Sequence, residues 1–424
     1  MADTAGAGMQ DLQSFRTRAR AWLADNAEPA GERGSALVTG FDSPDVLAGA
    51  REFQARQYEA GFSGITWPSE YGGQGLPVEF QRAWNEEATG YFLPSSIFAG
   101  VTHSIMGRTL LDHGSEEQKR RYIPAMLRGE HLWVQLLSEP DGGSDLAGLT
   151  TRAVLDGDRW LLNGSKVWSS GAATADFALC PARTDPDVVK HAGITLFIVP
   201  LKSPGVTIRP LRQITGSAEF CQEFFDDVEL GPEHVVGRVN DGWGVTRTLL
   251  MHERNMAAGG GMGGLVTAAG GRTGAIDDLI ALAQDKRTGH DPHIRQLIGE
   301  AAVMARVYPE LSKRVLALVG AGRLTPHGAS VIKMVRDGNT QRRAEITMAI
   351  AGGNGIAWNP DDASGARFAD DYLGSRSATI VGGTAQIQRN IVGERVLGLP
   401  REPEADPGVP FSRIRRRRDD RTPS

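Results

Sequence analysis

The sequence predicts an α+β chain of several domains, in which a helical region is followed by a β domain and then by an antiparallel helical bundle. Three observations carry this. From about Asp11 to Glu130 apolar residues recur at helical spacing, as in LQSFRTRARAWL and VLAGAREFQARQYEAGF. After His131 the texture changes to short segments rich in β-branched and aromatic residues, among them HLWVQLL, TTRAVL, RWLLNG, ITLFIVP, GVTIRPL and CQEFFDDVEL. Helical periodicity then returns near Gly242 and continues through PHIRQLIGEAAVMARVYPELSKRVLALVG to AQIQRNIVGERVLGL. The boundaries expected are 1–130, 131–238 and 239–400, with a basic tail over 401–424 that reads as disordered.

Within the first region, WPSEYGGQG at Trp67 to Gly75 breaks the helical pattern and reads as a loop. The next helix begins at SEEQ, where Ser115 and Gln118 stand at capping-box spacing. In the β domain, Asp156 and Gly157 separate two apolar runs and predict a tight hairpin turn. No fixed-period repeat is visible, which argues against a solenoid.

A chain of 424 residues, 40% hydrophobic and 23% charged, is long enough for two or three cores. It has no basic-then-apolar leader and no apolar run near the roughly 20 residues of a spanning helix, so a soluble, cytoplasmic protein without a membrane span is expected. Its two cysteines, Cys180 and Cys221, lie far apart in apolar stretches and read as structural. The net charge of -5 gives no reason to expect a nucleic-acid partner. The tail arginines Arg413 and Arg415 to Arg418 read as solvated. No His and Cys cluster has metal-ligand spacing, and no nucleophile elbow or Walker loop occurs. The run GGGMGG at Gly259 to Gly264 follows a helix, whereas a dinucleotide-binding loop follows a strand.

The segment most suggestive of chemistry is QLLSEPDGGSDLAGLTTRAVLDGDRWLLNGSKVWSSGA, from Gln135 to Ala172. Ser138 and Ser170 can donate hydrogen bonds to the polar edge of a flat ring, and Trp168 can pack on its face. Gly142 and Gly143 allow close backbone approach to a phosphorylated ligand. On composition alone, an ordinary hairpin with a Gly turn accounts for the segment better. The segment, however, closely resembles the central signature of acyl-CoA dehydrogenases: a hydroxyl-Glu-Pro turn, Gly-Ser-Asp, then Asn-Gly-x-Lys-x-Trp. The likeness extends to WPSEYGG upstream and to PGVTIRPL, FDDVEL, GWGV, AGGNG and GGTAQIQRNIVGERVLG downstream, in the family's order.

The resemblance implies an N-terminal helical domain, a central β-barrel and a C-terminal four-helix bundle. It implies FAD as cofactor, with Leu137, Ser138, Gly143, Ser144, Trp168 and Ser170 contacting the flavin or the CoA end of the substrate, Ser170 near flavin N5. Ser144 is thus also a substrate-binding candidate, and Gly383, Thr384 and Gln386 complete the flavin site. It further implies an acyl-CoA substrate, electron-transfer flavoprotein as electron acceptor, and a dimer or tetramer.

Dehydrogenation of a thioester needs a base for the α proton and donors for charge developing on the carbonyl. Many family members carry the base directly before the C-terminal Gly-Thr, where this chain has Gly382. Others, resembling the isovaleryl-CoA and long-chain enzymes, carry it on the first long helix after the barrel, where this chain has Glu253. Leu249, Glu253, Met256 and Gly260 form one stripe of that helix, so burial is expected to raise the Glu253 pKa toward neutrality. A purely structural ion pair with an arginine is the competing account. The backbone N–H of Gly382 remains a candidate to polarise the thioester carbonyl. Arg254 and Arg389 are candidates for holding substrate, although solvated or salt-bridged roles are commoner for such residues. Glu139 and Glu394 read as caps or ion-pair partners.

The family's Arg-x-x-Phe-Gly segment is missing between Gly264 and Arg295, and Ala349 stands where a glutamine is expected before AGGNG. Both losses affect the intersubunit part of the flavin site. They raise two alternatives, a heteromeric enzyme paired with a second dehydrogenase-like subunit and a non-catalytic partner subunit; the fold's oxygen-using relatives add a third, a flavin-using oxidase or monooxygenase.

Overall fold

The computed structural model describes residues 3–29, 44–257, 276–357, 363–403 and 406–414. The chain forms two compact units. The first comprises Met1–Arg212, Ala218–Gly270 and Glu404–Ser424, and the second comprises Gln213–Ser217 and Gly271–Pro403.

The first unit opens with helices α1 (Asp3–Asn26), α2 (Pro44–Glu59) and α3 (Val78–Ala88), gathered round an aromatic core. Phe62 stacks on Trp84 at 4.7 Å, and Phe15 meets Phe62 and Phe80 edge-on. The segment Trp67–Gly75 is the expected loop. Trp67 is buried in it, and a Cβ on Gly73 would lie 2.2 Å from the Trp67 carbonyl, so the turn requires glycine there. A π-helical segment, Phe98–Gly107, runs into α4 (Arg108–His113), followed by α5 (Glu116–Leu127). The capping box forms as expected: the Gln118 N–H donates to Ser115 Oγ at 3.2 Å, and the Ser115 N–H donates to Gln118 Oε1 at 3.0 Å. The Gln118 amide also donates to the Glu233 and Val235 carbonyls, each at 2.8 Å, which ties the helix start to the β domain. Ser115→Ala should therefore cost about 1 kcal/mol in urea unfolding; an unchanged midpoint would show that the cap contributes nothing.

The β domain contains β1 (Trp133–Gln135), β2 (Arg152–Asp156), β3 (Arg159–Ser170), β4 (Phe177–Arg183), β5 (Ile194–Pro200), β6 (Val206–Leu211), β7 (Phe220–Leu230) and β8 (Val235–Val236). They form one sheet in the order β8-β5-β4-β2-β3-β7-β6, with β1 parallel to β4. β2 and β3 form the hairpin expected at Asp156–Gly157, with Asp156 opposite Arg159 and Gly157 at φ +61°. Cys180 and Cys221 are free thiols buried in its core, and burial pushes Cys180 up to about 12.

Helix α6 (Gly242–Ala257), which sequence assigns to the last domain, packs inside the first unit. Val245 and Leu249 share a cluster with Ile105, Met106 and Leu110. The tail also differs from expectation over 406–414. Phe411 donates its N–H to Val188 O at 2.9 Å, and its ring lies 4.0 Å from the buried Arg183 guanidinium. A single aromatic residue in a charged, Pro-rich stretch gives too little pattern to reveal such docking. Arg415 to Arg418, Gly260 and the run GGGMGG lie outside the described residues.

The second unit is helical: α7 (Ile276–Asp285), α8 (Pro292–Gly320), α9 (Ala329–Ala351), α10 (Ala363–Gly374) and α11 (Ala385–Ile391). Its core includes Leu279, Leu297, Ala301, Ile346 and Ile350, and α9 buries an ion pair between Lys333 and Asp337. No described helix is long and apolar enough to cross a membrane.

Candidate functional site

In the first unit the site is built from the turn after β1 and the end of β3. Glu139 and Gly142 exchange backbone hydrogen bonds at 2.9 and 3.0 Å, closing a turn over Pro140 and Asp141. The Val167 N–H donates to Ser138 O at 2.9 Å, and the Lys166 ammonium donates to Leu137 O at 3.2 Å, clamping the turn to β3. Leu137 and Ser138 are thereby held against β3 just before Trp168, and Gly143 and Ser144 are exposed after the turn. A Cβ on Gly143 would sit 3.5 Å from Ser138 Oγ.

Trp168 stands outside the ladder. Val167 pairs with Gln222 and Ser169 with Cys221, and the register slips by one residue between them. Trp168 adopts φ +68°, is 60% exposed, and meets Phe220 edge-on at 5.9 Å. A bulky residue in the left-handed region beside a bulge is a strained backbone position, and it leaves the indole and the neighbouring Ser170 exposed.

Beneath this surface lie groups that sequence reasoning either missed or read only as an ion pair. Glu139 accepts from Lys166 Nζ at 2.9 Å, from the Thr150 N–H at 2.6 Å and hydroxyl at 2.7 Å, and from the Thr151 N–H at 2.9 Å. Burial alone would raise its pKa, but Lys166 and the Thr150 donors outweigh it and hold Glu139 at about 2. Glu223, on β7 opposite Lys166, is fully buried and accepts from the Ser169 hydroxyl. The signal available in the sequence was a charged residue inside each of two apolar strands.

On α6, Leu249 is buried and Met256 is half-buried against the same cluster that Leu137 borders. Glu253 is half-buried, so the stripe is sealed at Leu249 and opens by Glu253. Two hydrogen bonds fix the helix to α4: His252 Nε2 with Asp112 Oδ2 and His113 Nε2 with Thr248 Oγ1, both 2.8 Å. Burial pushes the Arg254 guanidinium below its usual range, opposed by the neighbouring Glu253 charge. An arginine therefore stands within electrostatic reach of Glu253.

Gly382, Gly383, Thr384, Gln386 and Arg389 belong to the second unit and form a group of their own. Gly382 has φ +66° and Gly383 φ +91°. Thr384 caps α11, accepting from the Ile387 N–H at 3.2 Å, and the buried Gln388 amide donates to Gly382 O at 3.0 Å. A Cβ on Gly383 would lie 2.7 Å from Gln388 Nε2. Gln386 and Arg389 are exposed. The left-handed backbone at 382 disfavours any side chain there, which gives a physical reason for glycine at this position. Glu394 is half-buried.

Family models of the acyl-CoA dehydrogenase N-terminal, middle and C-terminal domains match residues 9–130, 135–228 and 240–397. The acyl-CoA dehydrogenase IpdE1 of Mycobacterium tuberculosis is 36% identical over 398 residues, covering 93% of this chain and 99% of its own. The chain belongs to the acyl-CoA dehydrogenase family. As an acyl-CoA dehydrogenase it is an oxidoreductase acting on acyl-CoA, in a family of flavoproteins. The acyl-CoA dehydrogenase FadE34 of the same organism is 38% identical over 366 residues, 84% of this chain but 48% of that protein, so this chain spans about half its length. Among solved structures, the Tcur3481-Tcur3483 steroid ACAD has a TM-score of 0.74 at 30% identity, covering 93% of this chain and 98% of that one. The ChsE4-ChsE5 complex from Mycobacterium tuberculosis, at 24% identity over 92% and 98%, shares the fold with a TM-score of 0.68.

Proposed function

We propose that this acyl-CoA dehydrogenase carries out FAD-dependent α,β-dehydrogenation of an acyl-CoA thioester to the trans-2-enoyl-CoA, with Glu253 removing the α proton. The observation that carries the reading is the division of labour between two positions: Gly382, in a left-handed turn, has no base to offer, and Glu253 stands half-buried on a helix anchored at both His252 and Thr248. The residues fit a flavin. An exposed indole, a neighbouring serine turn and an exposed Ser170 suit one face and edge of a planar ring, and the Gly382–Thr384 turn offers backbone donors.

When bound, FAD supplies the hydride acceptor at its N5. The chain's own residues do the rest. Glu253 takes the α proton at a carboxylate oxygen, with Arg254 nearby to hold its charge. The Gly382 N–H polarises the thioester carbonyl, a role that needs no side chain. Leu137, Ser138, Gly143, Ser144, Trp168, Ser170, Gly383, Thr384 and Gln386 are the residues we assign to the flavin and the CoA end, and Arg254 and Arg389 those we assign to the substrate. Electron-transfer flavoprotein is the acceptor we assign, and the cytoplasm the location. The three domains we assign span 1–130, 131–238 and 239–400.

A second feature concerns the oligomer. The missing Arg-x-x-Phe-Gly segment and Ala349, together with the likeness to a steroid enzyme named for two proteins, favour a heteromer acting on bulky, sterol-type thioesters. Anaerobic visible spectra of the purified chain, with and without a candidate partner, test both readings against linear, branched and steroid-like acyl-CoA thioesters. Bleaching of a flavin band is expected, strongest with the steroid-like thioester and in the presence of partner. A flavin that never bleaches with any thioester would overturn the dehydrogenase reading, and a fully active homotetramer would overturn the heteromer.

A further inference from the structure

The interior of the β domain holds a carboxyl group that the chemistry above does not use. Glu223 is 0% exposed; one oxygen accepts from the Ser169 hydroxyl, and the other, Oε2, is buried without a hydrogen-bond partner. In a strand, residues three apart face opposite sides. Yet Lys166 and Ser169 are both buried, and both turn toward Glu223 and its surroundings. They do so because the register slips by one residue at Trp168. The same slip leaves Trp168 and Ser170 exposed on the other side.

We propose that Glu223 is a positioning residue for the flavin-facing surface: its buried hydrogen bond with Ser169 fixes the slip that turns Trp168 and Ser170 outward. The proposal rests on the flavin reading for what the surface binds, though not for how the surface is held. Without the bond, Ser169 gains nothing by facing inward, and a continuous register would carry the large apolar indole to the interior side instead. The carboxyl works as the neutral acid. An ionised group with an unpartnered oxygen is costly in the interior, and burial raises Glu223 to about 7, opposed by the Ser169 hydrogen bond and by Lys166. The titratable and charged groups near it are Lys166 on β3, Cys180 on β4 and Cys221 on its own strand; Glu139, beyond Lys166, already engages that ammonium.

The test compares Glu223→Gln, Glu223→Val and Ser169→Ala with the parent, each also in a Trp168→Phe background. Acrylamide quenching of Trp168, taken as the difference between the two backgrounds, is measured without ligand at pH 6 and pH 8. FAD dissociation constants are measured alongside. At pH 6 Glu223→Gln should match the parent, because its amide oxygen still accepts from Ser169. Glu223→Val and Ser169→Ala should each lower Trp168 quenching by about twofold and weaken FAD about tenfold, the scale of one lost buried hydrogen bond. Raising the pH to 8 should leave the parent and Glu223→Gln alike, because the ionised carboxylate still accepts from the Ser169 hydroxyl. Parental quenching in Ser169→Ala, or a glutamine variant that behaves like valine, would overturn the proposal. If Glu223→Val does not fold, Ser169→Ala removes the same bond from the other side. Absence of FAD binding in every protein would count against the flavin reading, and the quenching would still decide the role of Glu223.

Discussion

Glu253→Gln should lower the rate of thioester-dependent flavin bleaching by about 10²–10⁴-fold, the contribution of a positioned general base, while FAD affinity stays at the parental level. Glu253→Ala should abolish bleaching. The substitution is structurally mild. Val245 and Leu249 hold α6 in the core, and His252 and Thr248 tie it to Asp112 and His113, all independently of the carboxylate. Supplying a carboxylate at the other family position should not rescue the variant. Gly382 sits at φ +66°, where glutamate is strained, so Glu253→Gln with Gly382→Glu should remain as slow as the single variant. Stopped-flow bleaching at saturating thioester is the measurement. A parental rate in Glu253→Gln would remove this residue from the mechanism and restore the ion-pair account with Arg254.

Lys166→Met should destabilise the β domain by about 3–5 kcal/mol, because it leaves Glu139 buried with its Thr150 and Thr151 donors but without a countercharge. The double replacement Lys166→Met with Glu139→Leu should recover much of that loss, since neither charge is then stranded. The pH dependence of denaturation gives a second readout. The Glu139 value is depressed from 4.5 to about 2, so the native state binds fewer protons than the unfolded chain between those values. Its contribution is therefore complete above about 4.5 and is lost as pH falls toward 2. Glu223 is displaced in the opposite direction, from 4.5 to about 7, so stability is lost as pH rises through that window. Glu223→Gln should flatten the upper arm and leave the lower one intact. A Lys166→Met protein with parental urea midpoint and parental acid arm would show that the pair contributes nothing.

What could be read directly from the sequence was local. The capping box at Ser115 and Gln118, the hairpin after Asp156 and the loop from Trp67 each depend on a few adjacent residues whose preferences are strong. The fold class followed from the change of period at His131 and its return at Gly242. The buried Glu139–Lys166 pair and Glu223 depend instead on parity across the register slip at Trp168, and a strand pattern gives no count of bulges. The clamp from Gln388 onto the Gly382 carbonyl was equally hidden, since it needs the left-handed turn to exist before its partner can be named. Helix α6 carries a periodicity that suits either neighbour, and its packing against Ile105, Met106 and Leu110 could not be read from that period.

The docking of Phe411 also bears on the order in which the molecule can be finished during synthesis. Segment 406–414 is made after the whole of the second unit, yet it belongs to the first. Arg183 is 4% exposed and donates to the carbonyls of Lys190, Ala147 and Leu149, the charges of Glu139, Asp145 and Asp185 act on it, and the Phe411 ring covers it. On a ribosome that has not yet reached Phe411, that guanidinium keeps a side open to water. The cover that Phe411 gives Arg183 therefore has to wait until the whole of the second unit has been translated.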